Sequence, residues 1–160
     1  METWFLKAVI ATVSVTPTFI AIPLFKHRYA IDPLIFMIWY FLGAAAGIAV
    51  LCGITGRSAE LIPSLAPLGV IFAIGTVCGA AANGSLFQAV GLAPNPGLPP
   101  VIYATSSIIM FALSAALAGG FPDLFKPVNT EPSRLVGIAL VLFGLYLLAG
   151  GRIRLPGLPG

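Results

Sequence analysis

Five long apolar stretches dominate the chain, and none holds an acidic side chain, a histidine or an arginine in its middle. A helix needs about 20 apolar residues to cross the hydrocarbon of a bilayer. On that criterion the spans fall at residues 4–25, 33–54, 65–90, 101–119 and 135–151. Lys26, His27 and Arg28 close the first, and Gly56, Arg57 and Glu60 close the second. A Pro/Gly stretch, Ala93–Pro100, separates the third from the fourth. A polar loop with Asp123, Lys126, Asn129 and Glu131 precedes the fifth, and the tail 152–160 reads as irregular. The predicted fold is all-α: a polytopic transmembrane helical bundle of about five spans, forming a single domain over residues 1–160.

Composition points the same way. Eight Lys/Arg and five Asp/Glu make 8% of 160 residues, against about 25% in a soluble domain. So few charges cannot cover a water-facing surface, which makes lipid the expected solvent. The first stretch is about 20 residues long and runs on into a basic cluster, so it reads as a retained spanning helix rather than a cleaved signal. No basic run with interleaved aromatics suggests nucleic acid. Cys52 and Cys78 both fall inside apolar stretches and read as small buried residues, since neither sits in a metal-ligand pattern.

An odd number of spans puts the two termini on opposite sides. Lys7, Arg57, Lys126 and Arg134 then lie on one side, and Lys26, Arg28, Arg152 and Arg154 on the other. The positive-inside rule gives no bias between the orientations. Two readings stay open: an N-terminus in the cytoplasm, or a chain that inserts both ways.

Chemistry inside the spans rests on uncharged groups. Intramembrane carboxylates usually carry proton coupling and cation binding, and their absence argues against a pump built on a buried acid. Tyr103, Ser107, Met110 and Ser114 repeat at i, i+4, i+7 and i+11, one face of a helix. Thr76, Gly79 and Asn83 share a face of the third span, with Gln88 beyond, and Ser14, Thr16 and Thr18 surround Pro17 in the first. A lone Ser or Thr more often bonds back to its own helix. Asn83 differs, because a primary amide in lipid is costly without a partner. Asn83, Gln88, Tyr103, Ser106, Ser107 and Trp39 are the expected substrate-binding residues. Pro17 and Pro23 are candidates to break the first helix. Gly43–Gly47 and Gly75–Gly79 are GxxxG patterns, expected to let helices pack closely inside the bundle, with a subunit interface as the second reading. No catalytic constellation, metal-ligand spacing or cofactor motif is present, so an enzyme is not expected.

The second half of the chain resembles the drug/metabolite transporter superfamily, in particular its EamA-type domain. The resemblance is carried by Phe87-Gln-Ala-Val-Gly-Leu-Ala-Pro-Asn-Pro-Gly97, by Val101-Ile-Tyr-Ala-Thr-Ser-Ser107, and by Gly137-Ile-Ala-Leu-Val-Leu-Phe-Gly144. It covers residues 65 to 151 well and the rest only in general character. The family's Gly-Glu pair after the fourth helix is missing; Gly119-Gly120-Phe-Pro122 stands there instead. The resemblance implies carrier-type movement of a small organic metabolite in the inner (plasma) membrane. It also implies that this chain is one five-helix half, since the family usually fuses two such halves as inverted repeats. A lone half would work as an oligomer, either an antiparallel homodimer or a pair with a related membrane protein. The alternative expectation is a non-transporting membrane subunit that scaffolds a larger membrane complex, which the missing Gly-Glu pair favours.

Overall fold

The computed structural model describes residues 3–125 and 131–148, without the side chains of Trp4 and Arg134. Every regular element among them is helical. Among the described residues, four helices are long and apolar enough to cross a membrane: Phe5–Tyr29, Pro33–Ile54, Leu65–Leu92 and Leu98–Leu117. Leu135–Leu148 is a shorter apolar helix. The end of the expected fifth span, the irregular tail, and Lys126 and Asn129 of the preceding loop lie outside the described residues.

The chain divides into two compact units, residues 1–96 and 97–160. The first holds α1 (Thr3–Tyr29), α2 (Pro33–Ile54) and a long helix in three parts. Those parts are α3 (Leu65–Ile74), a π-helical segment (Gly75–Gly79) and α4 (Ala80–Leu92). A 3-10 turn at Ser58–Glu60 precedes them. The second unit holds α5 (Leu98–Tyr103), α6 (Ser106–Leu117) and α7 (Pro132–Leu148).

Local chemistry sets the boundaries. The α1 helix continues to Tyr29, so Lys26, His27 and Arg28 stand in its last turn rather than in a loop. Cations are favoured there by the negative end of the helix dipole. Pro17 and Pro23 do not break α1; both lie inside one continuous helix. Asp32 caps α2, its carboxylate accepting from the Leu34 N–H at 2.8 Å, and Pro33 takes the first turn, where its missing N–H is no loss. At the other end of α2, Gly56 adopts a positive φ of 75°. The Arg57 N–H reaches the Cys52 carbonyl and the Gly56 N–H reaches that of Gly53, at 2.8 and 3.2 Å, which closes the helix in a Schellman pattern. The fourth span starts at Leu98, three residues earlier than expected, because Pro99 and Pro100 fit a first helical turn.

Burial is confined to one end of the first unit. Ile22 of α1 and Leu86, Phe87 and Val90 of α4 form the buried apolar cluster, with Phe19, Phe36, Met37 and Tyr40 packed on it. Phe87 lies among the rings of Phe36, Tyr40 and Phe41 at centroid distances of 6.2, 5.8 and 5.9 Å. Elsewhere large apolar side chains point outward, including Ile54, Leu65, Phe72 and Val77. No described residue of the second unit is buried. An apolar exterior of this kind suits an integral membrane protein, because lipid tails solvate it as well as a core would.

Candidate functional site

Backbone irregularity and uncharged polar groups meet in the third span. Leu65–Leu92 contains the π segment Gly75–Gly79 close to its midpoint. A π turn inserts an extra residue into the helical ladder and is common at functional sites. One turn later, the Asn83 side-chain amide donates to the Gly79 carbonyl at 2.9 Å. That bond spends one amide hydrogen and leaves the Oδ1 acceptor and the second hydrogen available. Asn83 is half-buried, its neighbour Gly84 is buried, and Thr76 is exposed.

The other expected substrate-binding residues are more open. In the first unit, Trp39 is 69% exposed on α2 and Gln88 is exposed on α4, so neither lines an enclosed cavity with Asn83. In the second unit, Tyr103 ends α5 while Ser106 and Ser107 begin α6, and all three are exposed. Between them the helix tightens. Thr105 N–H bonds to Ile102, Ser107 to Ala104 and Ile108 to Thr105, all three-residue steps of 2.9–3.1 Å. A 3-10 turn advances about 20° more per residue than an α-helix, which rotates Tyr103 away from the face of Ser107, Met110 and Ser114. The single polar stripe expected through residues 103–114 is therefore interrupted.

Several threonines bond back to their own helix, as short polar side chains in lipid tend to do. Thr12 donates to Ala8, Thr16 to Thr12, Thr55 to Leu51 and Thr105 to Ile102, at 2.7–3.0 Å. Thr18 does not. It is the buried polar residue among the described ones, 9% exposed, and its oxygen is not sealed without a partner.

The glycines that mediate close approach are not the GxxxG pairs. Nothing lies within 4 Å of a Cβ built on Gly43, Gly47 or Gly75, and beside Gly79 only a carbonyl of its own stretch does. These positions do not pack inside the described structure, contrary to the expectation from their spacing. The tight sites are Gly84, with Leu34 at 3.4 Å, and Gly91, with Pro33 at 2.7 Å. No spacing in the sequence singles them out, since Gly137 and Gly144 share the same seven-residue separation and meet nothing within 4 Å. Cys78 likewise proves exposed and Cys52 half-buried, against the expectation that both are buried. Among the described residues no cluster of His, Cys, Asp and Glu is placed to hold a metal ion.

Comparison with protein-family models, with curated proteins and with solved structures finds no match to this chain.

Proposed function

We propose that the chain is a membrane transporter, or one half of one, that moves a small organic metabolite and works as an oligomer in the cell's inner (plasma) membrane. The observation that carries this reading is the π segment Gly75–Gly79 in the middle of a membrane-length helix, with the Asn83 amide on it. Interrupted helices near the bilayer midplane are where transporters place their substrate sites, since irregular backbone at that depth needs a polar cavity or protein around it. The EamA-like motifs of residues 65–151 support the same class, and Leu135–Leu148 supplies a candidate fifth span. Five spans would call for a second, oppositely inserted copy or a related membrane protein as partner. The test is solute flux in vesicles reconstituted with the purified chain. Asn83→Leu is expected to lower that flux roughly tenfold, equivalent to about 1.4 kcal/mol. Absence of flux for every small metabolite tried, in vesicles of either orientation mixture, would sink the reading.

One observation favours a second reading, a non-transporting subunit that scaffolds a larger membrane complex. The small-residue faces at Gly43, Gly47 and Gly75 are open, as a face awaiting a neighbouring helix would be. Gentle purification separates the two: co-elution with a fixed set of larger subunits supports scaffolding, and a homodimer supports transport.

A further inference from the structure

Thr18 and Asn83 occupy corresponding levels on α1 and α4. The Lys26 ammonium donates to the Gly91 carbonyl, and Ile22 clusters with Leu86, Phe87 and Val90. The two helices therefore run in the same sense along this seam. Counting eight residues back from Lys26 gives Thr18, and eight back from Gly91 gives Asn83, so both polar residues lie roughly 12 Å below that contact. The backbone ladder is irregular just before each of them. Pro17 has no N–H to offer the Val13 carbonyl, and the π segment ends at Gly79.

We infer that this level of the α1–α4 seam is a water-accessible seat for an uncharged polar solute, held by the Thr18 hydroxyl and the free amide groups of Asn83. The inference rests on the transport reading for the solute's role, but the seat itself stands on the residues. The Thr18 hydroxyl makes no back-bond of the kind Thr12 and Thr16 show, which leaves it able to donate and to accept. No side-chain nitrogen or oxygen is fully sealed without a partner among the described residues, so the Thr18 oxygen keeps an opening. The chemistry selects a neutral ligand. Thr18 and Asn83 offer donors and acceptors but no charge, and the nearest charged side chains of α1 are Lys7 and Lys26, the latter bound to Gly91. A neutral solute bearing an amide or hydroxyl matches both groups, whereas an ion would meet no compensating charge.

The test uses the full chain in lipid vesicles, with Cys52→Ala and Cys78→Ala as background. Thr18→Cys is compared with Ile20→Cys, which lies on the outward face of the same helix. A small water-soluble methanethiosulfonate is expected to modify the thiol of Thr18→Cys and not that of Ile20→Cys, although residue 18 is the more buried. Acetamide, the neutral probe, is expected to slow the modification, while acetate and methylammonium leave it unchanged. Asn83→Cys carries the same comparison should Thr18→Cys lose its helical circular dichroism. An unreactive thiol in a folded variant, or equal protection by acetate, overturns the seat. The two readings fail separately. Protection by acetamide without flux of any solute removes transport and leaves the seat, and flux through a protein with unreactive thiols at both positions does the reverse.

Discussion

The Lys26 ammonium donates a 2.6 Å hydrogen bond to the carbonyl oxygen of Gly91, joining the end of α1 to the end of α4 across 65 residues of sequence. The last carbonyls of a helix have no partner within it, so this cation closes α4 while its aliphatic stem lies beside Gly91. Lys26→Met keeps the stem and removes the donor. It is expected to destabilise the first unit by about 1.5–3 kcal/mol, the range for a hydrogen bond to a charged group. Thermal unfolding in detergent, read by circular dichroism, measures it, and a melting temperature equal to wild type would show the bond to be incidental.

Gly91 has a second duty. A Cβ there would meet the Pro33 ring at 2.7 Å, closer than real side chains pack. Gly91→Ala must push α2 from α4 and is expected to cost about 1–3 kcal/mol, the usual penalty of overpacking. Gly43→Ala, with open space around it, serves as the control and should leave the isolated chain's stability unchanged. Equal effects of the two changes would contradict the packing described.

Phe87 is the hub of the aromatic cluster, in contact with Phe36, Tyr40 and Phe41. Phe87→Ala is expected to lose about 2–3 kcal/mol. That is below the value for a soluble core, because the unfolded reference in detergent or lipid still solvates the ring. Near-ultraviolet dichroism should fall along with stability. A retained aromatic signal would mean the cluster does not depend on this ring.

Two left-handed positions among the described residues give opposite expectations. Ala30, after α1, has φ 53°, and Gly56, after α2, has φ 75°. A side chain at such an angle costs about 1–2 kcal/mol relative to glycine. Ala30→Gly should therefore raise stability and Gly56→Ala lower it, each by about 1 kcal/mol. Comparison of the two melting temperatures with wild type checks both signs at once.

Much of the architecture was legible because it depends on composition over long windows. The apolar run places the second helix at 33–54, and it is observed at Pro33–Ile54, since Asp32-Pro33 and Gly56 carry their own start and stop chemistry. The sequence ends the first span at Phe25, one turn before the helix itself ends at Tyr29, because charge marks a membrane boundary before it marks the end of a helix. The candidate site was partly legible. Asn83 stood out as an amide in an apolar run, but Thr18 did not, being one hydroxyl among several.

By itself the sequence determined that this chain is made of membrane-length apolar helices, because burying a run of about 20 uncharged residues in lipid is a one-dimensional property. It also determined the helix ends that Pro, Gly and Asp specify locally. The tertiary structure alone decided which glycines matter. Gly84 and Gly91 face α2 while Gly43 and Gly47 face open space, and nothing in lipid's uniform apolarity tells one helix face from another in advance. It also decided that Thr18 is buried and lies on the level of Asn83, a relation set by the register of two helices 65 residues apart, which only the packing of Ile22 and the Lys26–Gly91 bond establishes.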